Sequence, residues 1–333
     1  MEGYVNMMAD IAVIGAGSFG CALAVSFSLK HNVTMWTFSE AEKNDILTSR
    51  ENRSRLPGIK IPESINITTN ANEILDSDFV FFAVPSEFLR STAVALKPYI
   101  SSSSIIVNTS KGIEESTFKG GYQVLSDEFP LNRIAIMCGP THAEELARKI
   151  PTSFVVASAL PDVCLQIKNA ISNDFIHLFC SDDAKGIEIC STFKNVIAIG
   201  AGICVGLNTG ANTIAALITK GLSEISALGL AIGAKPQTFL GLAGLGDLIV
   251  TCESEHSRNR QMGKLVGQGI AVKTALAQIN MVVEGYNNTK TAHRMAESLN
   301  VSLPLINCIY EILFKDRTPS SILAAINTFE DFN

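Results

Sequence analysis

Between Glu188 and Lys220 the chain carries one charged side chain, Lys194, inside the run STFKNVIAIGAGICVGLNTGANTIAALIT. An ammonium group in apolar surroundings costs free energy unless it is paired, because removal from water disfavours the charged form. A lysine held there is a candidate proton donor and acceptor. The same residues also allow a lysine whose stem lies on apolar surface while its head reaches water. Downstream, GLAGLGDLIVTCESEHSRNRQMG sets Gly241, Gly244 and Gly246 ahead of Asp247 and then presents Ser257, Arg258 and Asn259. Glycines let backbone approach a small ligand, and Arg and Asn supply fixed donors suited to phosphate oxygens. A flexible loop with an exposed charge cluster is the alternative. The GxxxxGK[ST] pattern of nucleotide triphosphatases is missing.

Near the start, IAVIGAGSFGCALA places Gly15, Gly17 and Gly20 around Ser18 and Phe19, directly after a strand-like run. In that setting the glycines serve a tight turn, close approach of a pyrophosphate and helix-on-strand packing, the pattern of a dinucleotide site. A second strand-like run ends at Phe38-Ser39-Glu40. An acid there grips the ribose hydroxyls of NAD, and an Arg accepts the 2′-phosphate of NADP. Glu40 lies a little late for the ribose, so the choice of dinucleotide stays open. Pro85-Ser86, Asn108 to Gly112 with Lys111, and Cys138-Gly139-Pro140-Thr141-His142-Ala143 also follow strand-like runs, at the edge where open sheets bind ligands. Lys111 there suits an anion such as phosphate, the alternatives being a plain strand-ending turn at Pro85-Ser86 and a solvated surface lysine at Lys111. Thr141 with Glu144 fits a capping box for the helix that follows. The five histidines are scattered outside GxSxG and HExxH settings and read as structural or solvated.

The elements that must position these residues follow from the apolar pattern. Continuous β-branched runs at 11, 33, 79, 104, 134 and 152 alternate with helix-length segments, which predicts a parallel, doubly wound α/β sheet covered on both faces. Beyond Ser181, Ala/Gly/Ile/Leu-rich segments take over and predict packed helices. The expected division is 1–180 for the α/β domain and 181–333 for an all-α domain, with a helix start near Cys180-Ser181-Asp182-Asp183.

A chain of 333 residues with 47% hydrophobic and 17% charged residues is globular and large enough for two domains. A net charge of −6 without a Lys/Arg cluster gives no footprint for nucleic acid. The eight cysteines include no CxxC pair and no Cys/His metal spacing, so they read as reduced, packed thiols and no metal is expected. The N-terminus lacks the basic region of a secretory signal. The longest apolar run, Val196 to Leu207, is shorter than the roughly 20 residues of a membrane span, so a cytoplasmic protein is expected.

Taken together, GAGSFG, SKGIE, GPTHAEE, KNVIAIGAG, GLAGLGDLIVTC, SRNRQMG and VVEGY resemble, in order and spacing from about residue 10 to 320, the bacterial NAD(P)-dependent glycerol-3-phosphate dehydrogenases. The resemblance implies an N-terminal Rossmann domain, a helical substrate domain, and interconversion of dihydroxyacetone phosphate and sn-glycerol 3-phosphate for glycerophospholipid synthesis. It implies Lys194 and Asp247 as the catalytic pair. The substrate site would comprise Lys111, Gly139, Thr141, Lys194, Asn195, Asp247, Thr251, Ser257, Arg258 and Asn259. The NAD or NADP site would comprise Gly15, Gly17, Ser18, Phe19, Gly20, Phe38, Lys111, Ala143, Arg258, Val282 and Glu284. A homodimer is a further implication. The chain departs from the family pattern at Trp36-Thr37-Phe38, where the family commonly has Trp-x-Arg, and at Cys190-Ser191-Thr192-Phe193, where it often has Gly-Gly-Ala-Leu. Two alternatives are another two-domain hydroxyacid dehydrogenase with a catalytic lysine and a dinucleotide-sensing module without turnover.

Overall fold

Apolar runs that alternate between two buried faces build the first part of the chain. In the computed structural model, which describes residues 8–279 and 282–328, they become β1 (Asp10–Ile14), β2 (Asn32–Trp36), β3 (Asn66–Thr68), β4 (Phe79–Phe82), β5 (Ile105–Asn108), β6 (Arg133–Cys138), β7 (Thr152–Ala157) and β8 (Ile176–Ser181). They form one sheet in the order β3-β2-β1-β4-β5-β6-β7-β8. The helices around it are α1 (Ser18–Phe27), α2 (Glu40–Ser49), α3 (Ser86–Leu96), α4 (Gly121–Glu128), α5 (Ala143–Ala147) and α6 (Pro161–Ile171). Successive residues of a strand point to opposite faces. Accordingly Ile11 and Val13 enter one core with Cys21, Leu23 and Ile167, while Ala12 and Ile14 enter another with Leu89, Ala93 and Val124. Burial on both faces explains why these strands read as unbroken apolar runs.

The doubly wound α/β expectation holds, with one change. Every join is parallel except β6–β7, which is antiparallel. The link through the five-residue α5 stays at the end where β6 finishes, so β7 runs back. Strands β3 and β8 carry no signal among the runs read from sequence: β3 has three residues, and β8, IHLFCS, exposes His177 and Phe179 on one face.

The second part of the chain is helical: α7 (Ala184–Gly206), α8 (Ala211–Ala231), α9 (Pro236–Phe239), α10 (Asp247–Glu253), α11 (Arg258–Gly267), α12 (Val272–Ile279), α13 (Glu284–Leu299), α14 (Pro304–Phe314) and α15 (Ile322–Ile326). Its core gathers Phe193, Ile197, Leu217, Ile225, Met262 and Ile309. Helices α7 and α8 are long and apolar enough to cross a membrane by length and composition, which the count of consecutive apolar residues did not register. The apolar window of α7 is 89% buried inside the fold.

Helices α7 and α11 meet backbone to backbone. A Cβ at Gly202 or Gly206 would strike the carbonyl oxygens of Arg260 and Lys264, and one at Gly263 or Gly267 those of Ile199 and Ile203. Elsewhere in this core Glu224 accepts hydrogen bonds from the backbone N–H groups of Leu305 (2.8 Å) and Ile306 (2.9 Å). It thereby satisfies donors that α14 leaves open at its first turn, where a carboxylate also suits the helix dipole.

The chain divides into two compact units, and the division does not follow the sequence boundary alone. One unit holds the residues up to Ser110 with Gly121–Ala184, and the other holds Lys111–Gly120 with the residues from Lys185 onward. The hairpin 111–120, assigned to the first domain by its place in the sequence, therefore belongs to the helical unit. It closes through the Ile113–Gly120 bridge and sends Ile113 into the helical core.

Candidate active site

In the helical unit, Lys194 sits a little under halfway along α7 and is 5% exposed, with Asp247 at 0%. The Lys194 ammonium donates to Asp247 Oδ1 and, at 2.9 Å, to Thr251 Oγ1. The lysine does not snorkel. Asp247 opens α10 after a wide turn at Leu242–Gly246, and a Cβ at Gly244 would strike the backbone of Phe239. Thr251 lies one helical turn beyond Asp247, on the same face. Its hydroxyl donates to the Asp247 carbonyl at 2.6 Å, which leaves an oxygen lone pair for Lys194. The second carboxylate oxygen, Asp247 Oδ2, is buried without a hydrogen bond and faces Lys111 Nζ at 3.7 Å.

Beside this centre runs a chain of amides. Gly285 N donates to Asn259 Oδ1 (2.9 Å), Asn259 Nδ2 donates to Asn195 Oδ1 (3.0 Å), and Asn195 Nδ2 donates to Glu284 Oε2 (3.3 Å). Asn195 and Asn259, read from sequence as donors to a phosphate, thus bind each other and the start of α13. Burial pushes the Glu284 carboxyl above the usual range, against the pull of Arg258, Lys111 and Lys194 and the bond from Asn195. Three cations here outnumber two carboxylates, a balance that suits an anion. Ser257 is the N-cap of α11, its side chain accepting from Arg260 N at 3.3 Å. Arg258 follows as the first residue of that helix, half-buried.

The glycine turn lies in the other unit, where Gly15 has φ +110° and hydrogen-bonds from its N–H to the Trp36 carbonyl at 2.8 Å. A Cβ at Gly20 would strike the Gly15 carbonyl, whereas one at Gly17 would meet no atom within 4 Å. The turn is therefore closed against α1 and open at Gly17, where the first-turn amides of α1 have no intrahelical acceptor. This cradle fits the pyrophosphate of a dinucleotide, with Ser18, Phe19 and Gly20 at the helix start. Its outer wall is the loop after α2: Ser18 Oγ donates to Arg55 O (2.6 Å) and Asn52 Nδ2 to Ala16 O (2.8 Å). Asn52 has no sequence signal, since its partner lies 36 residues away.

The remaining predicted residues fall as follows. Phe38, just past β2, is 85% exposed. Pro85 precedes α3 and Ser86 opens it. Thr109 and Ser110 donate to the carbonyls of Phe82 (2.7 Å) and Val84 (2.6 Å), fixing the two strand ends side by side. The capping box expected at Thr141 does not form. His142 takes the N-cap position of α5, and the Thr141 hydroxyl donates instead to Gly139 O at 3.2 Å. Gly139 must be glycine, because a Cβ would press on the Ser153 carbonyl at 2.7 Å. Ala143 is the first residue of α5, and Val282 is 38% exposed, two residues before Glu284.

Two family models match the chain, the NAD-dependent glycerol-3-phosphate dehydrogenase N-terminus over residues 10–189 and the C-terminus over 183–324. Among curated proteins, glycerol-3-phosphate dehydrogenase [NAD(P)+] of Fusobacterium nucleatum is 43% identical over 314 residues, covering 93% of this chain and 94% of that one. The protein of the same name from Agathobacter rectalis is 42% identical, with 93% of each chain covered. Among solved structures, glycerol-3-phosphate dehydrogenase from Coxiella burnetii superposes with a TM-score of 0.92 at 30% identity, covering 97% of this chain and 99% of that one.

Proposed function

The chain belongs to the NAD-dependent glycerol-3-phosphate dehydrogenase family, and from that premise we propose that Lys194 is the group that moves the proton in its reaction. The protein is an oxidoreductase that interconverts dihydroxyacetone phosphate and sn-glycerol 3-phosphate with NAD(P)H. The observation that carries the proposal is the buried Lys194 ammonium, tied to Asp247 and Thr251. A dinucleotide held at the glycine turn by Gly15, Gly17 and Ser18 would supply the hydride for C2 during reduction. Lys194 gives its proton to the oxygen that becomes the C2 hydroxyl and then recovers one from solvent. During oxidation neutral Lys194 takes the hydroxyl proton, so positioning by Asp247 and Thr251 serves both directions.

The same reading gives the other residues their work. Asp247 Oδ2, buried and without a hydrogen bond, is an acceptor for a substrate hydroxyl. Arg258 and Lys111 match the charge of the substrate phosphate, while Asn195 and Asn259 supply the one amide hydrogen each has left. Ser257, Gly139 and Thr141 complete the substrate set by family position. Gly15, Gly17, Ser18, Phe19, Gly20 and Phe38 take the dinucleotide, with Ala143, Val282 and Glu284 as further contacts by the same criterion. A cytoplasmic homodimer whose product enters glycerophospholipid synthesis belongs to this proposal, as does the division of labour between a dinucleotide domain and a helical domain.

The test follows NADH and NADPH absorbance with dihydroxyacetone phosphate for the wild type and Lys194→Ala. Loss of the positioned proton donor lowers kcat by about 10² to 10⁴, while dinucleotide binding persists. A Lys194→Ala enzyme with undiminished kcat would remove the assignment.

A further inference from the structure

We infer that this chain selects NADH over NADPH, and that Phe38 with the acidic first turn of α2 sets the choice. The inference rests on the dinucleotide reading of the glycine turn. The N–H of Gly15 bonds to the carbonyl of Trp36, the last residue of β2. Thr37 then turns inward, 2% exposed, and Phe38 stands out at 85% exposure. This is the strand end at which a Rossmann fold meets the adenosine ribose, by an acid for a free 2′-hydroxyl or by an Arg for a 2′-phosphate.

The groups near that point suit the hydroxyl. Phe38 offers a flat apolar ring and no donor. Ser39, the α2 N-cap, accepts from Glu42 N through its hydroxyl oxygen and brings one neutral O–H donor but no positive charge. The first turn of α2 carries Glu40 and Glu42. Glu42 accepts from Thr37 Oγ1, and Glu40 accepts from Thr69 Oγ1 and pairs with Lys43 at 2.6 Å. The one cation of this turn is thus matched by a carboxylate. A 2′-phosphate brought here meets an apolar ring and two acids with no guanidinium fork to receive it. The ribose of NADH meets a stacking surface for the adenine and Glu40 as acceptor.

The rival site for a phosphate is the loop after α2, where Arg53 and Arg55 are exposed and the Arg55 carbonyl holds Ser18. Arg53 lies within the electrostatic reach of Glu51, and in the sequence α2 lies between Phe38 and the two arginines.

The test needs no turnover. Trp36 is the single tryptophan of the chain, two residues before Phe38, so its emission reports dihydronicotinamide dinucleotides binding in the absence of substrate. Dissociation constants for NADH and NADPH are measured on wild type, Phe38→Arg and Arg55→Ala. The expected wild-type preference for NADH is about tenfold or more, the size of one charge-assisted contact. In Phe38→Arg, NADPH binding tightens by about tenfold while NADH changes by less than about threefold. Equal or tighter NADPH binding by the wild type overturns the inference, as does Phe38→Arg without a gain for NADPH. A wild-type NADPH preference that disappears in Arg55→Ala assigns the selectivity to the loop instead. Failure to bind either dinucleotide overturns this inference together with the cofactor half of the function. Binding with the expected preference but no oxidation by dihydroxyacetone phosphate leaves the inference standing and removes the substrate reading.

Discussion

Asn259 Nδ2 donates to Asn195 Oδ1 across the α7–α11 contact, and the direction of that bond is set by a backbone amide. Gly285 N can only donate, so Asn259 must turn its oxygen toward it and its nitrogen toward Asn195. Asn195 must then turn its own nitrogen toward Glu284. Neither amide can flip without leaving two donors or two acceptors face to face. Asn259→Asp keeps the acceptor for Gly285, removes the donor for Asn195 and adds a carboxylate near Glu284. We expect a loss of about 1 to 3 kcal/mol of stability, the range for a buried partner left unsatisfied, read by urea unfolding. An unchanged midpoint would show that the amide chain carries no energy.

The Lys194–Asp247 pair predicts a stronger asymmetry. Lys194→Met leaves a fully buried carboxylate whose remaining ion-pair partner among the described residues is Lys111 at 3.7 Å, and removal of one partner of a buried pair costs about 3 to 5 kcal/mol. The double variant Lys194→Met/Asp247→Leu removes both charges and should recover most of that loss in urea unfolding, though no activity. A double variant less stable than the single one would contradict the pairing.

The hairpin 111–120 brings Lys111 to Asp247 at 3.7 Å. Gly120 lies against Glu188, and a Cβ there would collide with its carboxylate. Gly120→Ala should shift the hairpin and with it Lys111, raising KM for dihydroxyacetone phosphate about tenfold with a smaller change in kcat, because a displaced ligand contact weakens binding and transition state alike. Adding Glu188→Ala makes room and should bring KM back toward the wild-type value. A KM unaffected by Gly120→Ala would detach Lys111 from the hairpin's position.

Glu284 gives a pH dependence with a definite sign. Burial raises its carboxyl above the unfolded value, with Arg258, Lys111 and Lys194 opposing. As pH rises out of the ordinary carboxylate range, the folded state binds more protons than the unfolded one, so this group's contribution to stability falls with rising pH and is at its largest at the acid end. Glu284→Gln should flatten the curve of Tm against pH over that window. A steeper decline in the variant would reverse the sign.

How much of this was readable from sequence depended on whether the cause was local. Lys194 stood out because a lone charge in an apolar helix is visible in the residues around it, and Asp247 because glycines crowd the turn before it. Glu224 is no lone charge, since Lys220 stands one turn before it on α8 and gives it an ordinary i,i+4 partner. Its purpose was hidden, since the amides it holds lie 81 and 82 residues away. The crossing of residues 111–120 into the helical unit leaves no mark in composition, because SKGIE follows a strand as any loop would. β8 has a weak sequence signature for a different reason: an edge strand needs only one apolar face, and half of IHLFCS faces solvent. Thr141 shows the opposite error. The spacing to Glu144 met the rule for a cap, but the five-residue α5 begins one position later than that rule requires.

The glycine contact between α7 and α11 has a consequence for how such a site can change. Lys194 and Asn195 ride on one of these helices, Arg258 and Asn259 on the other. Where carbonyl and Cα surfaces touch directly, no layer of side chains stands between the helices to be enlarged, thinned or re-rotamered. The two helices act as a jig with a dimension cut by peptide geometry. Drift in the surrounding core will cost the protein cohesion before it alters the spacing of the groups mounted on the jig. A new substrate is therefore to be reached by exchanging those groups, since the frame that carries them offers no adjustment.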